Sequence, residues 1–304
     1  MIILRSSELL ALVDPGHGAE IVELVHLGTG RRLLARPPFS TAPPRAGDLP
    51  EDVWTASYRG GWQLVAPNAG AACVVDGVEH GFHGRASNDA WKVIDSGPSA
   101  AAFTWHGHGL ELTRTLDLEG DLLVARVEAR ATNDPAPLVV LEHIGLGLEL
   151  LHPEVQIDLP AGAAFELSEV EGPPTPPKDA PTWPDVLLLD GTVERADAWS
   201  LDRPRSRLLA VAGLPEGRAS VRNAVTGMSV DLEWDADWLR HLWLWHEVRT
   251  YGGPWRELTE MLAVEPTSVP HPLGLAAARE HGQARIVTRD EPATYELRLR
   301  AHVR

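Results

Sequence analysis

Cysteine is almost absent, with one residue, Cys73, in 304. An internal disulfide is therefore excluded, and a reducing compartment fits. Cys73 sits among apolar neighbours in AACVVDG with no activating group nearby in sequence, so it reads as a small buried hydrophobe rather than a nucleophile. Basic charge is also scarce: 27 Lys and Arg against 43 Asp and Glu give a net charge of -16. That balance disfavours nucleic acid and anionic membrane surfaces, both of which are bound through clustered cations. No apolar run approaches the length of a membrane span, and the opening MIILRSSELLALVD lacks the basic leader and cleavage site of a secretory signal. A soluble cytoplasmic protein is expected. There is no GxxxxGK loop, no strand-linked GxGxxG and no GxSxG elbow, which removes the common phosphate cradles and the acyl-transfer serine.

Twenty-five Pro and 27 Gly are spread along the chain without a fixed period, and no long amphipathic helix interrupts them. Many short elements joined by tight turns follow, and the chain reads as mostly β. Leu112, Arg114, Leu116 and Leu118 alternate with Glu111, Thr113, Thr115 and Asp117 up to a break at Glu119-Gly120-Asp121, a hairpin signal. The next run sets Leu123, Ala125, Val127 and Ala129 on one face and ends at Asn133-Asp134-Pro135. LVVLEHIGLGLEL then reads as the third strand of an antiparallel meander. Trp238 to Val248 carries large residues on both faces, with Leu239, His241, Trp243, Trp245 and Glu247 on one, so both faces are covered or one lines a cleft. The Pro-dense stretch Glu171 to Pro184 and the segment ARPPFSTAPPRAGDLP read as surface loops. A short helical turn is expected at Gly274 to His281. The strand style is the same throughout and no solenoid or propeller repeat is present, so residues 1–304 read as a single β-sandwich domain.

Polar residues on this scaffold mark candidate chemistry. GFHGRASNDAW combines imidazole, close-approach glycines and a planar donor fork at Arg85, a mixture suited to hydroxyl recognition; the alternative is that Arg85, Asn88 and Asp89 only stabilise their own turn. YRGGWQLVAPNAG adds Arg59, Trp62 and Asn68. His143 shares an otherwise apolar strand face with Val139 and Leu141, which suits either a hydrogen-bonded core histidine or a proton donor. Met261, Ala263 and Glu265 share a face in TEMLAVEPTS, so that strand delivers a carboxylate at its end, as an edge charge in solvent or as a base. His106 and His108 form an HxH pair without further ligands at a recognised spacing, and a metal site on them is a minor alternative.

The ordered set GGWQLVAPNAG, HGFHGRASNDAW, LEHIGLG and LWLWHEVRTYGGPWRELTEMLAVEPTS resembles the aldose 1-epimerase, or galactose mutarotase-like, superfamily from about Tyr58 onwards. The resemblance implies an all-β, large antiparallel β-sandwich, or supersandwich, holding a small-molecule sugar against a concave sheet face without a cofactor or metal; a homodimer is compatible with it. It implies His143 as general acid, Glu265 as general base, His83 as the substrate-orienting histidine with His80 as a second candidate, and Arg85 and Asn68 as looser hydroxyl contacts; Arg59, just before GGWQLVAPNAG, is a further substrate-binding candidate on its residue type alone. Of the candidate stacking platforms Trp62, Trp243, Trp245 and Trp255, one is expected to meet the sugar, and Trp245 is assigned to it. The usual aromatic residues after the strand histidine are replaced here by Ile144-Gly145-Leu146. The family's additional acidic sugar ligand has no clear counterpart, since Asp231 and Asp235 lack a motif. A working base must be ionised, so Glu265 is expected to be a carboxylate in the free protein. The rival reading on the same scaffold is a noncatalytic carbohydrate-binding protein.

Overall fold

The structure is a computed structural model that describes residues 1–37, 45–168, 174–251 and 257–303. Trp255 and part of both Pro-rich loops lie outside the described residues. Among the described residues the strands form two large sheets, one of twelve strands and one of nine, with two small two-stranded sheets beside them. The larger sheet runs in space through Ile2–Arg5, Leu9–Asp14, Glu20–His26, Trp62–Val65, Leu141–Leu146, Glu260–Thr267, His241–Val248, Arg205–Ala212 and Ala163–Leu167. The smaller sheet runs through Glu154–Asp158, Arg218–Arg222, Met228–Trp234, Ala293–Val303, Leu122–Ala131, Leu110–Glu119, Ala100–Gly107 and Lys92–Ser96. Pairing is antiparallel almost throughout; Ala163–Leu167 and Asp185–Leu187 meet in parallel. No described helix is long and apolar enough to cross a membrane.

The alternation in Leu110–Glu119 buries every second residue, because one face of the smaller sheet packs inward and the other is wet. Leu112, Leu116, Val127 and Leu299 from that face meet Leu64, Ile144, Leu244 and Val264 from the larger sheet in the main core. The larger sheet is covered on its second face too. There Leu141, Val65 and Trp243 pack with Leu275 and Ala278 of the helix Gly274–Glu280, and Met261 and Ala263 pack with Trp54 and Tyr58 from the helix Glu51–Ser57 and its C-terminal neighbour. This double cover explains the large residues on both sides of His241–Val248.

The hairpin at Glu119-Gly120-Asp121 forms with Leu110 opposite Ala131 and Glu119 opposite Leu122. The expected third strand of the meander does not. Leu141–Leu146 crosses to the larger sheet, between Trp62–Val65 and Glu260–Thr267, and its place beside Leu122–Ala131 is taken by Ala293–Val303. The reason is burial: all six residues of Leu141–Leu146 are buried, which needs a sheet covered on both faces, whereas the smaller sheet has a solvated one.

Glu142 and Arg114 join the two sheets inside the core. The Glu142 carboxylate accepts hydrogen bonds from Trp62 Nε1 (2.6 Å), Tyr295 Oη (2.7 Å) and Arg114 (3.3 Å), and both side chains of the ion pair are fully buried.

Candidate active site

Register places the two leading candidates. Leu141 pairs with Thr267 and Ile144 with Val264, so His143 stands across from Glu265 on the same face. Gln63 pairs with His143 on one side, and Trp243 pairs with Glu265 on the other. Gln63, His143, Glu265 and Trp243 therefore form one row across four neighbouring strands, at right angles to their direction. His143 and Glu265 line the floor of a cavity of about 960 Å³ together with Trp243, Trp245 and Glu247. Trp54, Phe82 and His83 form its opposite wall.

His143 Nε2 and Glu265 Oε1 are 3.6 Å apart, too far for a direct hydrogen bond and close enough for one small group to touch both. Burial lowers His143 from 6.5 to about 4 and raises Glu265 from 4.5 to about 8, since both charged forms are poorly solvated there. The expectation that Glu265 is a carboxylate in the free protein is thus corrected. At neutral pH the couple holds its proton on Glu265, and His143 is a neutral imidazole.

His83 comes from the loop after Val78–His80 and stands at a φ of 57°. Its Nδ1 accepts the Gly70 backbone N–H at 3.1 Å. An imidazole nitrogen that accepts carries no proton, so neutral His83 is the Nε2–H tautomer, a donor. Its ring packs edge-on against Trp54 with centroids 4.5 Å apart and lies 5.9 Å from that of His143. Gly70 is needed for this contact: it has a φ of 81°, and a Cβ there would lie 2.0 Å from the carbonyl oxygen of Pro272.

Trp245 lines the cavity, and its ring lies 6.0 Å from that of His143. Trp243 lines it as well, while Trp62 is turned into the core toward Glu142. The structure brings His83, His143, Glu265 and Trp245 together and places the other candidates elsewhere. His80 packs on His108 at 4.6 Å beside Asp48. Arg85 is held by Asp89 at 2.7 Å, and Arg59 is paired with Asp14 and Glu20. Asn68 is fully buried. Its amide donates to the carbonyls of Ala71 and Gly81, and its oxygen accepts the backbone N–H of Leu275 at 2.6 Å, so it ties three segments together. Asn68→Ala is expected to lower stability by about 1–3 kcal/mol, read by urea unfolding, because buried backbone groups lose their partner. A variant of unchanged stability with a raised KM would instead make it a ligand contact.

Asp231 bonds Ser220, and Asp235 caps its own turn, both away from the cavity. Besides Glu265, the acidic groups that line it are Glu51, Asp52 and Glu247, and the Glu247 carboxylate accepts from Thr250. Its position on the same strand face as Trp243 and Trp245 was the available sequence signal. His106 faces Glu111, whereas His108 faces Asp48, so the HxH pair does not converge.

The two face-packed antiparallel sheets have a galactose mutarotase-like fold, as the likeness to solved structures shows. In structural comparison the chain is similar to Slr1438 from Synechocystis sp. PCC 6803, at 17% identity and a TM-score of 0.71 over 98% of this chain and 93% of that one. It is similar to a galactose mutarotase related enzyme from Lactobacillus acidophilus, at 13% identity and 0.68 over 99% and 96%, and to a galactose mutarotase-like protein from Lactobacillus casei ATCC 334, at 14% and 0.63 over 99% and 100%. No protein-family model and no curated protein sequence matches the chain.

Proposed function

We propose that this protein is a cofactor-independent aldose 1-epimerase, an isomerase that interconverts the α and β anomers of a free aldose. The observation that carries the reading is the His143–Glu265 couple, set across adjacent strands on the floor of an aromatic-walled cavity. Interconversion needs one group to protonate the ring oxygen and another to take the proton of the anomeric hydroxyl, so that the ring C–O bond breaks and an aldehyde forms. A couple holding one proton can do both. Protonated Glu265 gives its proton to the ring oxygen as neutral His143 takes the hydroxyl proton. After the aldehyde turns its other face, Glu265 takes the proton of the ring hydroxyl as that oxygen attacks the carbonyl carbon, and His143 returns the proton it took to the new anomeric oxygen. The His83 Nε2–H is placed to donate to a sugar hydroxyl, Glu247 to accept from one, and Trp245 to stack on the sugar's apolar face. The described lining contains no Lys or Arg, which favours a free aldose over a phosphorylated one.

The test is NMR exchange between anomers of several free aldoses with and without the protein. Acceleration supports the reading; saturable binding without acceleration would replace it with a sugar-binding protein. The pH profile is a second check. Below about pH 4 His143 takes up a proton and no base remains; above about pH 8 Glu265 loses its proton and no acid remains. A plot of kcat/KM is therefore expected to be flat between those limits and to fall on both sides. An acidic limb near 6.5, the value of an ordinary solvated histidine, would contradict it.

A further inference from the structure

Tyr58 stands behind His143 and belongs to neither the sheet nor the row of the couple. It follows the helix Glu51–Ser57 and is buried, with Trp54 stacked on its ring at 5.1 Å. Its Oη lies 3.4 Å from His143 Nδ1. The hydroxyl occupies space that exists only because residue 145 is glycine: a Cβ on Gly145 would lie 2.7 Å from it. Gly145 is two residues after His143 on the same strand face, so the sheet leaves open the position from which Tyr58 reaches the imidazole.

We propose that Tyr58 is a positioning residue: its hydroxyl oxygen accepts from Nδ1–H and so holds the imidazole in the tautomer whose Nε2 lone pair faces Glu265. A neutral imidazole with its proton on Nε2 would confront the protonated carboxyl with a second donor, and the couple would lack a base. The phenol is suited to this part, because burial and then the neighbouring carboxylates of Glu265 and Glu20 push its ionisation well above the usual range. The inference rests on the acid/base reading of the couple, but its first test does not depend on turnover.

The imidazole ¹⁵N shifts of His143, recorded at pH 7 in the wild type and in Tyr58→Phe, report the tautomer directly. The wild type is expected to be in the Nδ1–H form and Tyr58→Phe to be a mixture of tautomers. In activity, Tyr58→Phe is expected to lose about tenfold in kcat with little change in KM, the scale of one net hydrogen bond. Gly145→Ala is expected to act in the same direction by displacing the hydroxyl. Added to Tyr58→Phe it should do little more, since the atom it collides with is gone. An unchanged tautomer in Tyr58→Phe overturns the proposal, as does a Gly145→Ala loss that remains whole in the double variant. A changed tautomer in a protein that accelerates no sugar upholds the positioning and rejects the reaction.

Discussion

Glu265→Gln is expected to reduce kcat for anomer interconversion by about 10²- to 10⁴-fold, the usual contribution of a positioned proton-transfer group. The substitution keeps shape and neutrality, because the wild-type side chain is itself neutral at pH 7 when buried here. Its effect on stability should have the opposite sign. Glu265 titrates near 8 in the folded protein against about 4.5 when solvated, so the folded state holds a proton that the unfolded state gives up. The wild type therefore loses stability as pH rises from about 4.5 towards 8 and the amide does not. Polarimetry and thermal melts at pH 5 and pH 8 read the two effects separately. The expected pattern is an inactive variant whose Tm advantage widens with pH. A Gln variant with wild-type kcat would remove Glu265 from the chemistry.

Arg114→Met and Glu142→Leu are each expected to destabilise the fold by about 3–5 kcal/mol, because each strands its partner as a buried, uncompensated charge between the sheets. The double substitution is expected to recover most of that loss, since an apolar pair leaves no charge to solvate. Urea unfolding of the four proteins gives the comparison directly. Additive losses in the double variant would mean that the pair does not act as a unit. Glu142 precedes His143 and points to the opposite face of the same strand, so the ion pair anchors the strand that carries the imidazole.

Much of this arrangement could be read from alternation. Period two set His143 with Leu141 and Glu265 with Ala263 on shared faces, and the structure keeps both. Alternation assigns a face, however, and not a partner. The placement of Leu141–Leu146 in the larger sheet depends on strands far away in sequence, and a meander was the local expectation. Trp54 was not legible as a wall residue, nor Tyr58 as a neighbour of His143, because the helix Glu51–Ser57 that carries them in is only seven residues long and reaches the site through tertiary packing. Asn68, Arg59 and Arg85 carried the signature of ligand contacts, but polar residues beside glycines look the same when they satisfy buried backbone or pair with acids. The protonation of Glu265 was misread for a related reason: the sequence shows a carboxyl group and not the burial that surrounds it.

The strand Ala293–Val303 lies in the middle of the smaller sheet, between Met228–Trp234 and Leu122–Ala131. During synthesis the strands Leu122–Ala131 and Met228–Trp234 therefore each wait with one unpaired edge until residues 293–303 leave the ribosome. Completion of this sheet is necessarily late, and until then its two open edges are templates on which another unfinished chain can pair.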